Sequence, residues 1–235
     1  MKSISYFSEA GPKGHNQDSV RFSEIHDGAK LIAIADGVGG NIGGGAASKT
    51  AVDVVQQLFQ SNSQLDISEY YSAVKSQLDV SASKDSTLER MATTLSICII
   101  ECSGRCRVGH VGDSRVYHLR GKGLITLTED QTERQELLNA GVISKRRAAN
   151  YHRRNILVSA MSPNYEYELA EIEVSLQTGD RLLLVTDGVY EAISKKEIRD
   201  LSLSSESVEV FCERLHASLL NVGPADDYTA LCYEF

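Results

Sequence analysis

The chain has 235 residues, 42% of them hydrophobic and 24% charged, with a net charge of −8. These values exclude a disordered or fibrous chain and suit one core-forming domain spanning residues 1–235. The acidic balance argues against nucleic acid as a partner, because phosphate contacts need clustered Lys and Arg.

No apolar run reaches membrane-spanning length, so no membrane partner is expected. The N-terminal "MKSISYFSEAGPKG" lacks the apolar run of a secretory signal. Five cysteines form no Cys-x-x-Cys pair and read as small buried hydrophobes in a reducing compartment. A cytoplasmic monomer is expected.

β-branched and aromatic runs predict strands at Ile4–Ser8, Val20–Ile25 and Lys30–Ala35. Helices are expected over Ala46–Gln60 and Ile67–Ser81. Strand-like runs then follow at Ala92–Glu101, Cys106–Val111, Arg115–Arg120 and Leu124–Leu127. A helical patch covers Glu133–Asn139, with Gly141 as its stop. Further strands are read at Ile156–Ala160, Tyr165–Val174 and Arg181–Thr186. In Ser207–Leu220, Val208, Phe211, Cys212, Leu215 and Leu219 recur at offsets of three and four, which puts an apolar stripe on one helix face. A last strand runs from Tyr228 to the C-terminus. This order lacks the strand–helix alternation of a doubly wound parallel sheet. It fits an α+β fold of packed antiparallel sheets with helices outside. Residues 130–155 stand out as an irregular helical insertion, a place where binding loops tend to lie.

The run "IAIADGVGGNIGGG" resembles a phosphate-cradling loop, but its spacing fails. A dinucleotide fingerprint read from Gly37 meets Ile42 where its third glycine belongs, and a P-loop needs a lysine that the run lacks. Asp36 at a strand end remains, with Gly37 letting the backbone come close. The pattern recurs. Asp187-Gly188 follows "RLLLVT", Gly112-Asp113 sits between two strand runs, Asp226-Asp227 precedes the last strand, and Asp18 precedes another. If the sheets gather these ends, the carboxylates need cations in order to stay ionised. Carboxylate, carbonyl and water ligands suit Mg²⁺ or Mn²⁺, and a two-metal site is the natural resolution.

The motifs together resemble the metal-dependent Ser/Thr protein phosphatases of the PPM (PP2C) type, in their compact bacterial form. "KGHNQDS", "ADGVGG", "GHVGDSRVY", "LTEDQT", "HRRNILVSAMS", "LLLVTDGVYEAIS" and "ADDYTAL" match seven family motifs in order along the chain. The resemblance implies a β-sandwich of two antiparallel sheets flanked by helix pairs. It also implies two core Mn²⁺ or Mg²⁺ ions, with a weaker third. Phosphoserine and phosphothreonine would be hydrolysed by direct attack of a metal-bridging hydroxide. Asp36 would bridge the ions, with the Gly37 carbonyl on one of them. Asp187 and Asp226 would complete the first ion's shell, Asp18 would orient bound water, and Asp113 would hold the third ion with Asp187. Residues 130–155 match the family's flap. The implied partner is a phosphorylated protein, the target of a bacterial Ser/Thr kinase. The competing reading is a phosphoprotein-binding relative without turnover.

Six positions depart from the family pattern, one of them Ala225, which follows Pro224 where the family has Ser before the metal Asp. Lys13 stands in place of a phosphate-binding Arg and keeps the charge without the bidentate fork. Gln17 replaces a Glu, Gln131 a His and Asp227 an Asn. Val38 takes the place of a histidine that some relatives use as general acid, which draws attention to His15 and His110. The basic run "SKRRAANYHRR", Ser144 to Arg154, reads as a solvated helix face and loop.

Overall fold

The computed structural model describes residues 3–38 and 43–235. In chain order it contains β1 (Ile4–Glu9), β2 (Ser19–Glu24), β3 (Lys30–Ala35), α1 (Gly43–Ser61), α2 (Ile67–Lys84), β4 (Leu95–Ile100), β5 (Arg105–Val111), β6 (Arg115–Arg120) and β7 (Gly123–Thr126). There follow α3 (Glu133–Asn139), α4 (Lys145–Ala148), β8 (Ala170–Ser175), β9 (Arg181–Val185), α5 (Asp187–Tyr190), α6 (Lys195–Leu203), α7 (Val208–Val222) and β10 (Tyr228–Glu234).

Among the described residues two five-stranded sheets form, ordered β1-β10-β9-β6-β7 and β2-β3-β4-β5-β8. Every pairing is antiparallel. The inner strands β3, β4 and β9 are buried along almost their whole length, which explains their near-continuous apolar sequences. On β3, Leu31, Ala33 and Ala35 face α1 and α2, while Ile32 and Ile34 meet Leu184 and Leu231 of the opposite sheet. On the other side, Leu183, Val185 and Ala230 pack under Phe211, Leu215 and Leu219 of α7. The order of layers is therefore α-β-β-α, as the sequence leads one to expect.

Helix starts follow local chemistry. Asp66 and Glu69 form a reciprocal capping box at α2, and the Ser207 side chain accepts from the Val210 amide at α7. α6 is absent from the periodicity reading. Its signal was a capping pattern, Ser194 three residues before Glu197, whose amide donates to the Ser194 hydroxyl.

Three expectations need correction. Ile156–Ala160 is not a strand; within it the chain makes an isolated bridge from Leu157 to Thr132, with another from Met161 to Thr93 just beyond, and Ile156 and Val158 stay exposed. Their β-branched side chains misled the reading. The Tyr165–Val174 strand contracts to Ala170–Ser175, because Pro163 and the left-handed Asn164 turn the chain before it. Cys98, Cys106, Cys212 and Cys232 are buried as expected, but Cys102 is exposed. No helix among the described residues is long and apolar enough to cross a membrane.

α2 lies close on β5 because Gly109 has no side chain. A Cβ there would come within 2.5 Å of Ile67 and 2.6 Å of Tyr71. Gly109→Ala is expected to cost about 1–3 kcal/mol of stability through overpacking, measured by urea unfolding.

Candidate metal centre

Antiparallel register brings the predicted acidic residues to one end of the sandwich. Ser19 pairs with Ala35, so Asp18 before β2 lies beside Asp36 after β3. Ala230 pairs with Val185, so Asp226 before β10 lies near Asp187 after β9. Arg115 also pairs with Val185, which carries the Asp113 turn to the same rim. A pocket of about 240 Å³ is lined by Lys13, Gln17, Asp36, Gly37, Val38, Thr94, Asp113, Asn155, Leu157, Asp187, Asp226 and Asp227. All the predicted site residues but Asp18 line it, and Asp18 sits buried behind.

Asp18 is held from the opposite sheet. The Thr186 hydroxyl donates to its Oδ2 at 2.8 Å, while its buried Oδ1 has no hydrogen-bond partner. Thr186 Oγ1 in turn accepts from the Thr229 amide. This one hydroxyl thus links β9, β10 and the residue before β2. The Asp36 amide donates to Thr94 Oγ1 at 2.9 Å, which fixes the backbone where β3 ends. Gly37 packs on the start of α1 so closely that a Cβ would lie 2.4 Å from Gly44 carbon. The Gly37 amide donates to the Gln17 carbonyl.

Lys13 Nζ donates to both Asp226 oxygens, at 3.0 and 3.2 Å. That bond raises the Lys13 ammonium above its usual range. Asp227, one of the departures, has a positioning role. Its two oxygens accept from the Gly11 and Gln17 amides at 2.8 and 2.9 Å, so it fastens the loop that carries Lys13. Gln131, another departure, ties the Asp113 turn to the segment before α3. Its side-chain oxygen accepts from the Gly112 amide, and its own amide donates to the Gly112 carbonyl. Tyr190 donates to Asp113 at 3.3 Å.

The electrostatics are unfavourable for bare carboxylates. Burial, then the charges of Asp18, Asp187 and Asp113, push Asp36 well above the ordinary carboxylate range. Burial and the charges of Asp113 and Asp226 raise Asp187 to about 8. Burial raises Asp18 to about 7 and Asp113 to about 6. Among the described residues no three acidic, His or Cys groups form a ready-made cage for one ion. The donors present are oxygens lining a shared pocket, and carbonyls and water would have to complete a shell. Mg²⁺ keeps several waters when bound, so this donor set fits it or Mn²⁺. The orphaned, buried Asp18 oxygen also fits a water held between it and an ion.

Neither histidine serves this pocket. His110 is buried, with Nδ1 bonded to Ser96 and Nε2 to the Glu129 carbonyl, and burial lowers it to about 4. His15 is exposed and does not line the pocket. Sequence reasoning gave no role to Thr94, Thr186 or Asn155; Thr186 and Asn155 fall inside quoted motifs, while Thr94 lies in none and is a polar strand residue of ordinary appearance. Residues 39–42 of the glycine run lie outside the described residues.

A hard-oxygen site at the rim of an α-β-β-α sandwich defines the class to which comparison then gives a name. The protein phosphatase 2C profile matches residues 11–225. The serine/threonine phosphatase stp of Listeria welshimeri is 31% identical over 228 residues, covering 94% of this chain and 90% of that one. The Mycobacterium tuberculosis serine/threonine phosphatase PstP/Ppp superposes with a TM-score of 0.88 at 28% identity, covering 99% and 97% of the two chains. The PstP catalytic domain in complex with two manganese ions gives a TM-score of 0.80 at 28% identity, covering 98% and 96%. This chain belongs to the protein phosphatase 2C family.

The raised carboxylates make the metal-free protein sensitive to pH. Between about pH 5 and 8 the four raised Asp residues hold protons when folded that they lose on unfolding, outweighing the one proton that His110 gains on unfolding below about pH 6.5, so stability falls as pH rises through that window. With EDTA, Tm is expected to drop from pH 5 to pH 8, and Mn²⁺ at pH 8 to restore it. Thermal melts with and without Mn²⁺ check this; a flat EDTA profile would contradict it.

Proposed function

We propose that residues 1–235 form one phosphatase domain that hydrolyses phosphoserine and phosphothreonine in proteins, with residues 130–155 as a flap beside the site. Among its supports are the family membership and the names of its relatives. The observation that carries the site assignment is the convergence of Asp36, Asp187, Asp226 and Asp113 on one pocket with Lys13 at its edge. The reading without turnover is not favoured, because no carboxylate of the set is replaced.

In this reading Asp36, the Gly37 carbonyl, Asp187 and Asp226 hold two Mn²⁺ or Mg²⁺ ions, and Asp113 with Asp187 holds a weaker third. When bound, such ions supply a deprotonated water near neutral pH and positive charge for the phosphoryl oxygens. The chain's own groups do the rest. Asp18 orients water from behind through its unpaired oxygen, and Thr186 keeps its other oxygen in place. Lys13 turns from Asp226 to the substrate phosphate, where its ammonium acts as a point charge. Val38 donates no proton, and His110 is committed to Ser96 and Glu129, so the leaving alkoxide takes its proton from water. The substrate is the target of a bacterial Ser/Thr kinase, and the enzyme acts as a cytoplasmic monomer.

With Mn²⁺ the protein is expected to hydrolyse p-nitrophenyl phosphate. Asp36→Asn or Asp187→Asn is expected to cut kcat at least 10³-fold, a loss of roughly 4 kcal/mol of transition-state stabilisation. Full activity in both variants, or activity without divalent ions, would sink the reading. Lys13→Ala is expected to raise KM by about tenfold with a smaller change in kcat. Because it removes a cation from Asp226, the same variant should bind Mn²⁺ more tightly by calorimetry.

A further inference from the structure

The function proposed above leaves one feature unused, the basic stretch between α3 and the pocket. Residues 144–154 hold five of the chain's 24 Lys and Arg and no acid, in a protein of net charge −8. Three of them, Lys145, Arg146 and Arg147, are exposed on α4, and among the described residues none has an ion-pair partner. The other two arginines of the stretch are paired. Arg153 bonds Glu133 at 2.6 Å, and Arg154 bonds Glu191 at 3.3 Å. The contrast is informative, because unpaired adjacent cations repel one another and gain from an anion brought from outside.

The stretch is also fixed in place. Ala148 is buried, the Ser144 hydroxyl accepts from the Arg147 amide, and Tyr151 and Arg153 both bond Glu133 of α3. A concavity of about 510 Å³ opens beside Arg146, Arg147, Asn150 and Tyr151. From there the chain runs directly to the metal pocket. Arg154 lines the adjoining cleft of about 600 Å³, and Asn155 lines both that cleft and the metal pocket. Asn155 lies eight positions after Arg147, a span of at most about 29 Å and within reach of a short extended peptide.

We infer that the α4 face, with Lys145, Arg146 and Arg147, docks an acidic segment flanking the phosphorylated residue of the protein substrate. This rests on the phosphatase reading and adds a substrate class to it. The site then selects phosphoproteins whose Asp or Glu residues lie several positions from the phosphoresidue. Charge complementarity of this kind acts on encounter and orientation, so it appears in kcat/KM and weakens with salt.

The test compares three phosphothreonine peptides of equal length with Mn²⁺. One carries four Asp or Glu residues N-terminal to the phosphothreonine, one carries them C-terminal, and one carries Ser and Gly instead. Wild-type protein is expected to favour one acidic peptide about tenfold in kcat/KM over the neutral one, through KM, with the preference lost in about 0.5 M NaCl. In the variant combining Lys145→Ala, Arg146→Ala and Arg147→Ala, the preference should vanish while turnover of p-nitrophenyl phosphate and the neutral peptide persists. Equal turnover of all three peptides by wild type, or a preference that survives in the variant, overturns the inference. So does binding to phosphatidylglycerol vesicles through these residues with no peptide preference. If no substrate is hydrolysed the phosphatase reading fails instead, and fluorescence anisotropy of the labelled acidic peptide still decides the docking. Equal anisotropy with wild type and the variant then overturns it.

Discussion

Several carboxylates share one poorly solvated rim, and this fact organises the molecule. Burial pushes Asp36, Asp187, Asp113 and Asp18 towards their neutral forms, and nearby carboxylates add to it: members of this set at Asp36 and Asp187, Asp130 at Asp113, and Asp227 with Asp226 at Asp18. A fold does not gain stability from such a cluster; it bears the cost, and the rest of the structure holds the cluster in place. The arrangement is worth that cost only if cations neutralise it, which ties stability, pH dependence and chemistry to one cause.

The restraint comes from backbone geometry more than from side chains. Each acidic residue sits within two positions of a strand end whose register is fixed by a core filled on both faces. A one-residue slip in β3 would turn Ile32 and Ile34 from the inter-sheet layer to the helices and move Asp36 off the rim. Glycine permits the close approaches that remain. At Gly188 a Cβ would stand 2.2 Å from the Asp227 carbonyl oxygen, so the chain beside Asp187 can pass only without a side chain. Thr186 then joins the two sheets through Asp18, where a mismatch between them would otherwise be felt first.

Two departures from the family pattern acquire a physical meaning. Asp227 does not crowd the pocket with idle charge, because backbone amides of the Lys13 loop engage both of its oxygens. Gln131 joins the Asp113 turn to the segment before α3 through side chain and backbone alike. The segment that leads into α3 is therefore connected to the rim, while α4 beyond it carries exposed cations.

The sequence by itself determined the layered α+β architecture, the acidic residues of the rim and the failure of the nucleotide-loop reading. Strand periodicity, glycine spacing and strand-end Asp residues are local signals, and they survive folding unchanged. It could not show that Asp226 is held by Lys13, that His110 is committed to the core, or that Thr94 and Thr186 support the site, since these depend on partners 14 to 213 positions away. Nor could it separate Ile156–Ala160 from a true strand, because β-branched composition is local while pairing requires a neighbour. The tertiary structure alone decided which cations are paired and which remain open to a partner. Charge in a sequence is only a count until folding sets the distances between charges.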